Sequence, residues 1–342
     1  MARKLNFRQD ELVKLSSNES PLGLSPKVAD AITTHLKDLH IYPEVCSPDL
    51  RTAISTYVGY PMNNIVIGNG GDGVLDTIVR LFVDKGDQTI IPTPTFSFYE
   101  LLTRISNGIP KFLRRGKDFS VPIDKLIGSV SDKTKIIFLC TPNNPSGNIM
   151  GEEEVRKIVE SVNCVVVCDE AYVEFTDSSV SHLVKKYDNL IVTRTFSKAF
   201  GLAGLRIGYA IIPDWIFGEY MKVNQPFGVN QMGVIAGMAA LEDKEYLNRT
   251  VKLAREGRDF FMSKITFKVY PSQANFVLVD VSPLKSKEVL SGLLKEGIIV
   301  RDCSSFRGAG DSLIRITVGT PEQNEKVVCA LSRINKKTGH KT

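Results

Sequence analysis

Long apolar runs are absent. No stretch of the 342 residues approaches the roughly 20 consecutive apolar side chains that a membrane-spanning helix needs. The opening residues, Met1 to Ser17, mix charges with isolated apolar positions and lack the continuous apolar segment of a secretory signal. A soluble, cytoplasmic protein is the expectation, with no membrane partner. Charge of one sign is also scarce. The formal net charge is +5, part of it from the tail lysines Lys336, Lys337 and Lys341, and no stripe of Lys and Arg interleaved with aromatics appears. Nucleic acid is therefore not an expected partner. The six cysteines form no C-x-x-C pair and have no histidine cluster beside them, which argues against a zinc site or a disulfide framework. Internal repeats and low-complexity linkers are missing as well.

What is present is an ordinary globular composition, 43% hydrophobic and 24% charged, on a chain long enough for one large domain and a smaller companion. From about residue 60 to 240, short continuous apolar runs alternate with helical stretches. The runs include Ile65-Val66-Ile67, Gln88 to Ile91, Ile136 to Cys140, Cys164 to Cys168, Leu190 to Val192 and Gly208 to Ile212. Continuous rather than alternating hydrophobicity predicts strands covered on both faces, hence an α/β domain with a mostly parallel sheet. After Asn230 the pattern becomes one long helical stretch, Gly233 to Lys264, then strands near 267–270, 275–281 and 313–318, and a last helix near 321–334. These predict a smaller α+β domain. The expected division is 1–43 for an N-terminal arm and part of the small domain, 44–240 for the large domain and 241–342 for the small C-terminal domain.

The chemistry gathers after strands, where open α/β sheets carry their sites. Gly68-Asn69-Gly70-Gly71-Asp72-Gly73 follows a strand and opens a helix predicted from Gly73, so its amides can cradle an anion. The same stretch satisfies G-x-G-x-x-G and leaves open a nicotinamide enzyme or a purely structural turn. Phe96 offers an aromatic face, with Phe98 as the core residue beside it. Thr141-Pro142-Asn143-Asn144-Pro145 makes a rigid turn carrying amide donors. Asp169, ending Val165-Val166-Val167-Cys168, is a carboxylate whose burial needs a cationic partner, unless it merely caps a helix. The interval from Asp169 to Lys198 has room for one crossover helix and one strand. Lys198 lies in Thr195-Phe196-Ser197-Lys198-Ala199-Phe200-Gly201-Leu202-Ala203-Gly204-Leu205-Arg206, where small and apolar neighbours favour a neutral, nucleophilic amine. Arg206 can bind a phosphate with two prongs, with Thr195 and Ser197 adding hydroxyls. An anion cradle, a plate, a carboxylate for a ring nitrogen and a reactive lysine are the four services that pyridoxal 5'-phosphate requires.

In this order the motifs resemble fold type I pyridoxal phosphate enzymes, and most closely the histidinol-phosphate aminotransferases. The likeness runs from Ser17-Asn18-Glu19-Ser20-Pro21-Leu22-Gly23 through Tyr42-Pro43 to Arg315-Ile316-Thr317-Val318-Gly319-Thr320. The resemblance implies a transaminase exchanging an amino group between glutamate or 2-oxoglutarate and histidinol phosphate or imidazole acetol phosphate, in histidine biosynthesis. It implies that Gly71, Asp72, Ser197 and Arg206 hold the cofactor phosphate, joined by Tyr42 of the other subunit of a homodimer. Asn144 and Tyr172 would meet the ring oxygen, Asp169 the ring nitrogen and Lys198 the aldehyde carbon. Arg315, helped by Arg301, would hold the substrate anion, with Asn18 beside it. An aromatic or broad-range aminotransferase, a threonine-phosphate decarboxylase and a non-catalytic cofactor-binding regulator remain as alternatives. Gly73 stands where the family usually has a polar residue such as glutamate, and Gly23-Leu24-Ser25 lacks a tyrosine some members place near the substrate phosphate.

Overall fold

The computed structural model describes residues 11–337, so Lys341 and the first ten residues of the expected arm lie outside it. Two sheets organise the chain. The larger comprises β2 (Ile65–Asn69), β3 (Gln88–Thr93), β4 (Ile109–Arg114), β5 (Thr134–Cys140), β6 (Val165–Asp169), β7 (Leu190–Thr195) and β8 (Ile207–Ile211). Its order is β2-β8-β7-β6-β5-β3-β4. Strands β4, β3, β5, β6 and β7 are parallel, and β8 runs antiparallel to both β7 and β2. The predicted apolar runs are thus strands, and helices cover both faces with two apolar clusters.

Strand β4 and the helix Phe98–Ile105 have no counterpart in the predicted elements. β4 lies at the sheet edge and is only partly buried, so it tolerates Pro110 and shows no continuous apolar run. The crossover between β6 and β7 carries the 3-10 turns Val173–Phe175 and Ser181–Lys185 in place of the expected α-helix. Those turns fold round a buried ion pair. Arg194 and Glu170 approach to 2.8 Å, with Ser179 and Ser181 bonding to them.

The second sheet, ordered β1-β11-β12-β10-β9, comprises β1 (Val13–Leu15), β9 (Lys268–Tyr270), β10 (Phe276–Asp280), β11 (Ile298–Asp302) and β12 (Leu313–Thr317). Helices Ser286–Leu294 and Pro321–Lys337 pack on it around a third cluster. β1 pairs in parallel with β11, whereas the helix Pro26–His35 lies against Gln231–Glu242, with Val28 in the core beneath the larger sheet. The helical stretch expected to run unbroken from Gly233 to Lys264 divides at Asp243. Its carboxylate caps the second helix, Lys244–Lys264, by accepting from the Tyr246 amide at 3.1 Å, and it also accepts from Ser25.

Topology then explains why the motifs converge. The carboxyl ends of the parallel strands share one edge of the sheet, which brings the segments after Thr93, Cys140, Asp169 and Thr195 together. Because β8 is reversed, Arg206, the residue just before it, arrives at that same edge.

Candidate active site

A cavity of about 340 Å³ opens at this edge. Thirteen of the fourteen residues singled out in the sequence line it: Asn18, Gly71, Asp72, Phe96, Asn144, Asp169 and Tyr172, then Thr195, Ser197, Lys198, Arg206, Arg301 and Arg315. Tyr42 does not. It is 77% exposed and stacks on Phe227, ring centroids 4.7 Å apart.

Lys198 sits on a turn anchored by the buried Phe196, Ala199 and Phe200. Gly201 in that turn has φ +72°, and a Cβ there would lie 2.4 Å from the Tyr246 hydroxyl, so glycine is required. Lys198 is half-buried. Its Nζ donates to the Ser17 carbonyl at 3.2 Å and lies 5.7 Å from the Tyr172 ring centroid. Burial, reinforced by Arg315, lowers its pKa to about 8, with Asp72 and Glu19 opposing the shift. A useful fraction of neutral amine is therefore present near neutrality.

Asp169 closes β6 in full burial. One carboxylate oxygen accepts from the Tyr99 hydroxyl at 2.5 Å and the other from the Ala171 amide at 3.1 Å. Burial raises its pKa to about 6 despite those bonds. Among the described residues no cation pairs with it, so the site presents a desolvated carboxylate in need of one.

The expected anion cradle is a glycine-rich backbone turn beside Arg206. Gly70 to Gly73 form the first turn of the helix Gly70–Phe82, which begins three residues before the expected start. A Cβ on Gly208 would fall 2.3 Å from the Gly71 nitrogen, and one on Gly70 would fall 2.6 Å from Arg206 Nη2. Only glycine at 208 lets β8 and the helix start approach so closely, and at Gly70 the φ of +74° favours glycine. Arg206 has φ +55°; it donates to the Asp72 carboxylate at 2.9 Å and to Ser197 Oγ at 3.5 Å. The Asp72 side chain is thus a partner of the arginine. The Thr195 hydroxyl is spent on backbone, donating to Ile207 O and accepting from the Ser197 amide.

Phe96 meets Tyr99 edge to face at 5.5 Å; Phe96 and Phe98 both pack, partly buried, against the apolar cluster on that side of the sheet, and the core position expected of Phe98 is taken by Tyr99. Tyr172 is buried; its oxygen accepts from Asn18 Nδ2 at 2.9 Å. Burial pushes its pKa up to about 12, so the phenol keeps its proton. Asn144 Oδ1 accepts from Arg315 Nη1, which turns the amide nitrogen of Asn144 away from the guanidinium.

Arg315 is buried, donates to the Ser16 carbonyl at 2.7 Å, and leaves its Nε without a partner. Arg301 lies directly opposite it in the β11–β12 register. Like charges in facing positions repel unless an anion lies between them. Arg301 itself is exposed, 5.4 Å from the Phe306 ring. Asn18, expected beside the substrate anion, lines the cavity, and its side chain bonds to Tyr172 and Thr317.

Sequence reasoning missed Tyr99, Phe306 and the carbonyls of Ser16 and Ser17. For Tyr99 the available signal is its spacing: three residues past Phe96, at the start of a helix, it falls on the same side. For the others the contacts join distant parts of the chain.

The aminotransferase class I and II family model matches residues 10–331. A histidinol-phosphate aminotransferase of Methanosarcina mazei is 55% identical over 331 residues, covering 96% of this chain and 90% of that protein. Among solved structures, the histidinol-phosphate aminotransferase of Sinorhizobium meliloti in complex with pyridoxal-5'-phosphate superposes with a TM-score of 0.91 at 26% identity, over 98% of this chain and 94% of that one. The L-threonine-O-3-phosphate decarboxylase of Porphyromonas gingivalis has the same fold, TM-score 0.82 at 24% identity, over 95% of this chain and 100% of that one. The G-x-G-x-x-G match therefore does not mark a nicotinamide enzyme.

Proposed function

The chain belongs to the class I and II aminotransferases, and we propose that it moves an amino group between glutamate or 2-oxoglutarate and the histidinol phosphate/imidazole acetol phosphate pair, using pyridoxal 5'-phosphate. The observation that carries this reading is the cavity itself, where a lysine of lowered pKa, a buried carboxylate without a cation and the arginines Arg206, Arg301 and Arg315 meet.

Those residues fit the cofactor. The glycine-lined helix start, Ser197 and Arg206 suit its phosphate, Asp169 its protonated ring nitrogen, Phe96 its ring face, and Asn144 with Tyr172 its ring oxygen. When bound, pyridoxal phosphate supplies an aldehyde that takes up the amino group and a ring that accepts electrons released at the substrate's α carbon. The rest falls to the chain. Lys198 Nζ, available as a neutral amine, carries the proton from that α carbon and delivers it to the cofactor's C4′. Asp169 keeps a proton on the ring nitrogen, because a buried carboxylate gains most from a cationic neighbour. Arg315, with Arg301 opposite, binds the substrate's anionic end, and the same fork of donors accepts a carboxylate or a phosphate.

The functional unit is proposed to be a homodimer in which Tyr42 reaches the partner's phosphate site. In support, Tyr42 and Phe227 are exposed and stacked on each other, and Leu39, Ile41 and Val45 near Tyr42 in sequence are exposed as well; exposed apolar side chains of this kind call for a cover. We place the reaction in the cytoplasm, because phosphorylated amines do not cross a bilayer unaided and must be used where they are made.

The test is a substrate panel on protein loaded with pyridoxal phosphate: histidinol phosphate, phenylalanine, tyrosine and threonine phosphate, each with 2-oxoglutarate. Glutamate should form fastest with histidinol phosphate, without carbon dioxide. Carbon dioxide from threonine phosphate would instead make the chain a decarboxylase of the same fold.

A further inference from the structure

Asn18, which lines the cavity, and Thr317 are 299 positions apart in sequence, yet they are bonded twice. Asn18 is 1% exposed and Thr317 2%. The Asn18 backbone amide donates to Thr317 Oγ1 at 3.0 Å. A backbone N–H can only donate, so the threonine oxygen is the acceptor there and its own proton must go elsewhere. Among the described residues it goes to Asn18 Oδ1, also at 3.0 Å. An amide oxygen can only accept, which settles the orientation of the Asn18 side chain and puts Nδ2 against Tyr172, donating to its oxygen at 2.9 Å. The Asn18 carbonyl accepts from Asn275 Nδ2 at 3.1 Å, locking the residue at its unusual φ of +56°.

We propose that this relay, from the Asn18 amide through Thr317 and back through the Asn18 side chain, fixes Tyr172 as a hydrogen-bond donor toward the cavity. One lone pair of the phenol oxygen is occupied by an obligate donor, so the O–H proton is directed at whatever acceptor lies within the site. Asn18 and Thr317 are then positioning residues: neither needs to touch substrate, and both act through Tyr172. Neutral Asn is required at position 18 because aspartate, of the same shape, has no proton to give. It would accept from Tyr172 and turn the phenol proton away from the cavity. The inference rests on the reading above, in which Tyr172 faces the ring oxygen of pyridoxal phosphate.

Its readout is the pH midpoint of the absorbance of the bound cofactor. A donor on the ring oxygen stabilises its anion; once the donor is withdrawn, that oxygen holds a proton more tightly, and the midpoint rises. Asn18→Asp should raise it by about one pH unit or more, from the worth of a hydrogen bond to a charged group, and weaken cofactor binding roughly tenfold in equilibrium dialysis. Thr317→Val, which keeps the shape and removes the hydroxyl, should move the midpoint the same way by less; Thr317→Ser, which keeps the hydroxyl, should restore the wild-type value. If Asn18→Asp fails to fold, the Val and Ser variants at position 317 decide the matter alone. Wild-type protein that binds pyridoxal phosphate while the Asp and Val variants leave the midpoint unmoved overturns the relay only. Wild-type protein that takes up no pyridoxal phosphate overturns the parent reading.

Discussion

Replacing Asp169 with asparagine should make the cofactor-free protein more stable. The carboxyl group is buried at the end of β6, and burial raises its pKa from 3.8 to about 6. An acid whose folded pKa is raised prefers its protonated form in the folded state. Below about pH 4 it is neutral in both states and costs nothing. Stability is lost as pH climbs through the interval up to about 6, and above it the penalty is complete. A shift of about two units corresponds to about 3 kcal/mol. Asparagine removes the charge but keeps the local bonds. Its oxygen accepts from the Ala171 amide, and its nitrogen donates to the Tyr99 hydroxyl, which now serves as an acceptor. With an unfolding entropy of about 2.1 cal/mol/K per residue over 342 residues, 3 kcal/mol is a rise in Tm of about 4 °C. Calorimetry of cofactor-free wild type and Asp169→Asn should show this rise near pH 8 and none near pH 4. The same variant should bind pyridoxal phosphate at least roughly tenfold more weakly, because its partner for a cationic nitrogen is gone. Coincident melting curves at pH 8 would refute the view that Asp169 is held as a desolvated charge awaiting a cation.

Arg315→Ala should raise KM for histidinol phosphate and for glutamate together, roughly 10- to 100-fold each, and Arg315→Lys should recover little, lacking the fork. Steady-state kinetics with each substrate varied decides this; a change confined to one of them would separate the two anion sites. Arg194→Ala should destabilise the protein by about 3–5 kcal/mol in urea denaturation, because Glu170, 1% exposed, is left without its cation. Arg80→Ala, which breaks the exposed pair with Asp76, should cost under about 1 kcal/mol.

The strands under the site were legible because they are buried on both faces, and so Val165 to Cys168 and Ile136 to Cys140 stand out as unbroken apolar runs. β4 was not, since an edge strand with Pro110 and Lys111 carries no such signature. That Lys198, Asp169 and Arg206 belong to one site could be read from local patterns, each within a few residues of a strand end. The facing arginines could not: the register that sets Arg301 against Arg315 depends on how two strands pair. Nor could the fate of Asn18. It belongs to the N-terminal segment, and its partners Tyr172, Asn275 and Thr317 come from three other parts of the chain. Tyr99 was hidden for a different reason: in Phe96-Ser97-Phe98-Tyr99, three aromatics look alike until helix geometry turns one toward Asp169.

The central claim is that Lys198 is the group that engages the cofactor. Borohydride reduction of protein loaded with pyridoxal phosphate, followed by peptide mass analysis, tests it most directly, with uptake rising through about pH 8 as the amine loses its proton. A single modified peptide is expected, carrying the label on Lys198, with neither label nor turnover in folded Lys198→Ala. Label on another lysine, or an active Lys198→Ala enzyme, would contradict it.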